Sequence, residues 1–488
     1  MRRRPGFLTF SPEPMVLPRL AARLFSSGAL RRRLTAALLL TASAAWAQST
    51  PPPPRAVSLV QALELARAHY PRLQAKAAQV QAAQAEIQQV RTQRLPSVRL
   101  SQQVSYGTIN GAAGTILPYG TVIPTTGGAS VANSSDAVFG SVSTAYAEWS
   151  PITFGQYGAQ LDRARAAAEY AVADADNEWF GQQVRVAQTY LELLAVQNLR
   201  AVRQQNLRRV LTLRKTITRL TLNGLRPGVD STQAAAEVAQ ARLSLVEARE
   251  LEAERQTRLS TLLGQPGQRW QPDTVLNRCL PAADAAALAL GEHPALRLQQ
   301  RAIGLNQARE TIIRRSYRPR LALLGGTWGR GTGVGADGRY DYGVAGAAPT
   351  RFNYALGVGL VFDLLDLPRL RAQGRAEAFR TQSLQQDLRQ QQLELSNQQL
   401  LATERIELAA ERVREAPVQL AAAAQAYRQK LALYNAGLAT ITDLTQALYG
   451  LQKAEQDQAL TVNNAWQALL LQAAGTGDFS LFQTRLNP

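Results

Sequence analysis

Along most of this chain apolar residues recur every three or four positions, and in four short stretches the interval drops to two. From Leu73 the positions Ala77, Val80, Ala83, Ile87 and Val90 follow at helical steps and predict a helix with one narrow apolar stripe. Upstream, Ser58 with Gln61 three residues on predicts the capped start of an earlier helix, which Pro71 interrupts. Pro96 ends the helical spacing. In 97–106, Val98, Leu100, Val104 and Tyr106 alternate with polar residues, so a strand with two unlike faces is predicted. A Gly/Thr/Pro-rich loop runs from Gly107 to about Ser135, and a second strand spans 138–149. A long helical hairpin is predicted over 155–263. Its first limb, Gly155 to Leu222, contains no proline and repeats Leu161, Ala164, Ala168, Val172 and later Val210, Leu213, Ile217. At 1.5 Å per residue that limb is about 100 Å long, far more than a compact domain uses. Asn223-Gly224 and Pro227-Gly228 make its turn, and Gly264 closes the returning limb.

The same programme then repeats. Residues 284–475 offer a helix ending near Arg318, strands at 319–328 and 352–363 around a Gly-rich loop, and a second hairpin over 368–474. Residues 71–106 align without a gap on 294–329, placing Pro71 on Pro294, Pro96 on Pro319 and Leu100 on Leu323. The run Gly224 to Ala234 aligns on Gly437 to Ala447, sharing Gly, Leu, Asp, Thr, Gln and Ala. One half-protein, residues 58–264, is thus read as duplicated after a connector at 265–283, with a tail at 476–488. The second hairpin differs by holding Pro417, where the alignment shifts by one helical turn; a kink or break is predicted there, and Pro417 is the candidate hinge. In 352–363, Phe352, Tyr354, Leu356, Val358, Leu360 and Phe362 alternate with small or polar residues, which suits a wall with lipid outside and water inside. A soluble sandwich strand carries the same alternation.

The 488 residues have a net charge of +18, of which the leader supplies a part. Arg31 to Arg33, the apolar run Leu34 to Ala45 and Ala45-Trp46-Ala47 form a secretory signal over 1–47, so the mature chain is expected to begin at Gln48 with a Pro-rich linker over 48–57. Met15 offers a second start, and an uncleaved anchor is the alternative. No later stretch approaches 18 apolar residues, so a membrane crossing would fall to strands. The single Cys279 forms no internal disulfide.

Four strands from one chain cannot close a barrel, since the smallest spanning barrels have eight, and open edges in lipid cost several kcal/mol per unpaired group. Oligomerisation is therefore expected, with helices of about 100 Å continuing the barrel outside the membrane. The arrangement resembles the TolC-like outer-membrane efflux family. The resemblance is carried by Ala62-Leu63 through His69-Tyr70-Pro71 with Pro96, by Glu292-His293-Pro294 with Pro319, and by the turns Gly224 to Gln233 and Gly437 to Gln446. It implies a mainly α fold with membrane β structure: a homotrimer with a 12-stranded β-barrel continued by a 12-helix α-barrel, lodged in outer-membrane lipid with a large periplasmic portion. It also implies a duct that works with a periplasmic adaptor and an inner-membrane pump. Asn223, Gly224, Leu225, Asp230, Gly437, Leu438 and Thr440 would then be adaptor-contacting hairpin tips. Asp443 matches an aspartate of the family's periplasmic entrance, while Gln446 and Ala439 replace its second aspartate and its arginine. A ring of three carboxylates would favour cations; a plain first-turn acid favoured by the helix dipole is the other reading of Asp443.

Other classes find few parts. His69 and His293 are the only histidines and both sit at Pro-terminated helices, so neither catalysis nor a metal centre is expected, and no cofactor. The glycines of 325–335 lack a phosphate-loop lysine and read as a loop. Basic residues are spread along helices among Glu and Gln, unlike a nucleic-acid face. A periplasmic coiled-coil scaffold without a pore remains the competing function.

Overall fold

The computed structural model describes residues 54–108, 110, 133–277, 292–335 and 337–485. The leader, most of the linker, the middle of the first loop and Cys279 lie outside the described residues. Among the described residues fourteen elements follow in order, leaving aside short 3-10 turns: β1 (Arg55–Val57), α1 (Leu59–His69), α2 (Pro71–Thr92), β2 (Ser97–Thr108), β3 (Ala137–Ile152), α3 (Gln156–Leu222), α4 (Gly228–Leu262), β4 (Trp270–Pro272), α5 (Pro294–Ser316), β5 (Arg320–Thr332), β6 (Arg351–Val361), α6 (Leu367–Asn435), α7 (Ile441–Thr476) and α8 (Ser480–Thr484).

Local chemistry sets the boundaries. The Ser58 hydroxyl accepts from the Gln61 amide at 3.3 Å while the Gln61 side chain accepts from the Ser58 amide at 3.1 Å, the reciprocal box read from the sequence. Pro71 and Pro294 open α2 and α5 at the first helical position, where the missing N–H has no partner to lose. The strands are β2, β3, β5 and β6 in that spatial order, all antiparallel, with β3 and β5 central. On β6, Phe352, Tyr354, Leu356, Val358 and Leu360 stand out on one face with exposures of 66 to 85%. No helix among the described residues is long and apolar enough to cross a membrane.

Each long helix has two shorter helices stacked end to end beside it. Alongside α3 run α4 on its C-terminal half and α2 on its N-terminal half, the latter tied by Arg72 to Glu178 at 3.0 Å and by Lys76 to Asp174. Alongside α6 run α7 and α5. Where the short helices meet, a glycine is required. Gly477, at φ +78°, ends α7 with its α-carbon so close to His293 that an added Cβ would lie 2.7 Å from the His293 Cα. Gly264, at φ +69°, meets His69 at the end of α1 in the same way. His293 caps α5, its Nδ1 accepting from the Ala295 amide at 3.1 Å and its Nε2 donating to the Ala474 carbonyl at 3.0 Å. Burial holds this imidazole below the usual histidine range, so it stays neutral.

At the level of these junctions lies the main core. Leu59, Leu63 and Ala66 of α1 pack with Tyr190, Leu191 and Leu194 of α3, Leu259 and Leu263 near the end of α4, and Trp466 and Leu470 of α7. Two of its polar side chains bond to backbone: the Tyr190 hydroxyl donates to the Val57 carbonyl at 3.0 Å and accepts from the Asp273 amide at 2.7 Å. The Trp466 indole donates to the Leu276 carbonyl at 2.9 Å.

Four expectations are corrected. The linker 48–57 and the connector 265–283 are not featureless, because Arg55–Val57 pairs in parallel with Trp270–Pro272, anchored by the buried Val57 and Trp270. The tail 476–488 includes α8, and its Phe479 and Phe482 complete the core. The second Gly-rich loop begins later than expected: β5 continues to Thr332, its glycines leaving room beneath β6 side chains such as Phe352 over Gly329. Finally, α6 runs through Pro417 as one 69-residue helix without a break. A proline removes a single N–H, and packing of Ala409, Ile406 and Val413 against Ala465 and Ala468 of α7 holds the turn before it.

Gly477→Ala combines a left-handed backbone with a clash against backbone atoms. It is expected to cost about 1–3 kcal/mol, read as a lowered thermal midpoint of the purified protein, whereas Gly267→Ala, with open space around it, should cost less.

Candidate functional site

Both hairpins turn in the same way. After α3 the Gly224 amide donates to the Thr221 carbonyl at 3.0 Å and the Leu225 amide to Leu220 at 2.9 Å; after α6 the Gly437 amide donates to Tyr434 at 3.1 Å and Leu438 to Leu433 at 2.9 Å. These paired bonds close the last helical carbonyls and end each helix abruptly. Each turn leaves a leucine in solvent, Leu225 and Leu438, beside exposed Asn223, Gly224, Gly437 and Thr440.

The turns are not independent. Val210, Leu213 and Ile217 of α3 and Ala234, Val238 and Ala241 of α4 share one core with Tyr427 and Tyr434 of α6 and Leu444, Leu448 and Leu451 of α7. At its end Tyr434 is fully buried, and its hydroxyl donates to the Asp230 carboxylate at 2.6 Å. The Arg226 guanidinium lies 4.1 Å from the centre of the Tyr434 ring and also donates to the Tyr434 carbonyl. A cation over an aromatic face and a charge-assisted bond thus converge on one side chain. Burial, then the bond to Asp230, pushes the Tyr434 phenol well above its ordinary range, so it stays a donor. Further along, the Tyr449 hydroxyl reaches both Glu237 oxygens at 2.8 Å, with its pKa pushed up to about 12 by burial first and then by that carboxylate. Arg209 of α3 pairs with Glu455 of α7.

Aligned aspartates have therefore taken different work. Asp443 caps its own helix: its carboxylate accepts from the Thr440 amide at 3.2 Å and hydroxyl at 3.0 Å, while its amide donates back to the hydroxyl at 3.2 Å. Those Thr440 bonds, and then Lys430 at 4.0 Å, hold its carboxyl below the usual aspartate range. Gln446 is exposed one turn on, so Asp443 and Gln446 share a side of α7. Asp230, expected at an accessible tip, is instead only 5% exposed and committed to Tyr434. Ala439, expected at the entrance, is 9% exposed within the shared core, because its small methyl packs where a longer side chain would project. Arg226, Tyr434, Glu237 and Tyr449 were not singled out from sequence. The available signal was the tyrosine three residues before Gly437 in an Ala/Gln-rich limb, opposite an aspartate present in both turns.

Residues 62–265 match the family model described as "Outer membrane efflux protein". No curated protein matches the chain. Among solved structures the fold is similar to the outer-membrane channel OprN, with 20% identity, a TM-score of 0.68, and coverage of 86% of this chain and 89% of that one. It is similar to CusC at 14% identity and TM-score 0.71, covering 86% and 92%. It is also similar to the outer membrane protein VceC of Vibrio cholerae at 17% identity and TM-score 0.69, covering 86% and 96%.

Tyr434→Phe keeps the ring under Arg226 and removes only the hydroxyl, leaving the Asp230 carboxylate buried without that donor. The expected cost is about 1–3 kcal/mol, confined to the turns. Amide exchange over 222–230 and 434–443 should quicken while exchange around Tyr190 and Trp466 stays as in the wild type; unchanged turn exchange would refute the tie.

Proposed function

We propose that this chain, whose residues 62–265 match the outer membrane efflux protein model, belongs to that family and is the exit duct of a tripartite export system, conducting cargo passively from periplasm to exterior. The observation that carries this reading is the sheet: four strands of 11 to 16 residues, each long enough to cross a bilayer, with the outer edges of β2 and β6 unpaired among the described residues and an apolar face on β6. A pore-free periplasmic scaffold has no use for such a sheet. It lies in the outer membrane, with the helical hairpins extending into the periplasm.

Three copies supply twelve strands, joining β2 of one copy to β6 of the next, and the two unlike halves of each chain act as one duplicated unit. The helices then form a twelve-membered tunnel whose far end is built from the turns. Exposed Leu225 and Leu438, with Asn223 and Thr440, offer the periplasmic adaptor six apolar points per trimer, in line with the tip-to-adaptor reading of these residues. Three Asp443 carboxylates at the mouth form a ring of negative charge, kept ionised by their Thr440 bonds. Since Gln446 supplies no second ring and Ala439 no latch arginine, closure rests on the Arg226–Tyr434–Asp230 tie between hairpins of one chain.

The protein extracted from outer membranes is expected to run as a trimer that dissociates on heating. In planar bilayers Asp443→Ala should relieve block by divalent cations applied from the helical side. An unchanged block would remove Asp443 from the pore while leaving the duct intact; the absence of any heat-sensitive trimer would overturn the duct itself.

A further inference from the structure

Where the sheet gives way to the helices, a groove of about 650 Å³ opens between the end of α5 and the start of α6. Its apolar part is Ile313, Tyr317, Phe362 and Leu370, and at its helical side stand Arg371 and Arg375. Phe362 continues the even-numbered phase of β6, whose residues from Phe352 to Leu360 are the exposed apolar face. In the barrel proposed above, the groove therefore opens on the side turned to hydrocarbon, at the level where the strands end. A tyrosine at that depth, 42% exposed, has an amphipathic ring suited to a headgroup layer.

The charges around it are unequally spent. Arg314 is paired with Glu310 and Arg369 with Asp366. Arg371 and Arg375 are both exposed, and among the described residues neither has a carboxylate within ion-pair distance; Asp363 lies at the margin of the same groove. One helical turn apart, the two guanidiniums share a face and can grip one phosphate with paired forks. The wider setting has the same sign. Segments 91–99, 148–156, 309–320 and 363–375, which enter or leave the sheet at this end, hold eleven arginines and four carboxylates, a net of +7. The loops at the other end, 107–136 and 330–351, balance three arginines with three aspartates.

We propose that this groove holds an anionic phospholipid of the surrounding leaflet, its phosphate between Arg371 and Arg375 and its acyl chain along Phe362, Tyr317 and Leu370. The proposal rests on the sheet being the membrane-spanning part. A free phosphate would use the arginines but has nothing to place against the apolar wall, whereas a phospholipid fills both. Three such sites per trimer would pin the barrel's rim to the leaflet on the helical side.

The test uses the detergent-purified full-length trimer titrated with phosphatidylglycerol, phosphatidylcholine of the same chains, or water-soluble glycerol phosphate, read by retained lipid in native mass spectrometry and by the heating midpoint of the trimer. Phosphatidylglycerol should bind about 30-fold more tightly than phosphatidylcholine and raise the midpoint, as two arginines near an anionic surface predict. Arg371→Gln with Arg375→Gln should abolish most of that preference, and the double lysine variant should keep part of it. Should the glutamine pair fail to assemble, Arg375→Gln alone should lose about fivefold. Equal binding of the two lipids, an unaltered preference in the variants, or glycerol phosphate acting as well as lipid overturns the site. Conductance is measured in parallel. A conducting trimer with no lipid preference sinks the headgroup site alone, and a protein that forms no conducting trimer sinks the barrel reading.

Discussion

The two free edges of the sheet govern the rest of this molecule. β2 and β6 each present an outer row of backbone amides and carbonyls with no partner among the described residues. In water such edges invite aggregation; in hydrocarbon each orphaned group costs several kcal/mol. Only closure removes that cost, and closure with four strands per copy requires several copies. The helical hairpins accept the same geometry, since every strand hands its direction to a helix through Pro96, Pro319 or the short turns before α3 and α6. On the duct reading proposed above, a chain with this sheet would be committed to assembly before any question of cargo arises.

Within one copy the helices are held at two levels by different chemistry. Near the junctions of the short helices the core is large and aromatic, with Trp270, Trp466, Tyr190 and Phe482 almost fully buried, the Trp466 indole bonded to a backbone carbonyl and the Tyr190 hydroxyl to a backbone carbonyl and a backbone amide. At the turns the core is thinner and ends in a polar tie. Truncating one of the large aromatics would cost about 3–5 kcal/mol, more than the single hydroxyl bond of Tyr434 contributes. The molecule is firm in the middle and easier to rearrange at its far end.

Much of this was legible in the sequence, for local reasons. Ser58 with Gln61, Pro71, Pro96 and the Gly-Leu turns act over a few residues, and their effects were read correctly. The alternation in 352–363 is a period, which survives without knowledge of neighbours. What escaped depended on partners far away in the chain. Three-residue strands such as Arg55–Val57 are too short to show a period, and their pairing with Trp270–Pro272 spans the whole first half. The Tyr434–Asp230 bond joins residues 204 apart, so Asp230 looked like a surface turn acid. Phe479 and Phe482 resembled a frayed end because the surface they cover is assembled from α1, α3 and α7. At Pro417 the expected break is absent: the local rule is sound, but packing against α7 keeps the helix continuous.

The uninterrupted run of α3 gives the central core a mechanical meaning. Tyr190, Leu191 and Leu194 clamp the helix near its midpoint, and from there to Leu222 about 32 residues extend for about 48 Å as a stiff rod. Clamp and rod make a lever. Each degree of rocking at the fulcrum sweeps the tip through about 0.8 Å, at 1.5 Å of rod per residue. A small tilt therefore moves the tips by several ångströms with no bond in the middle broken.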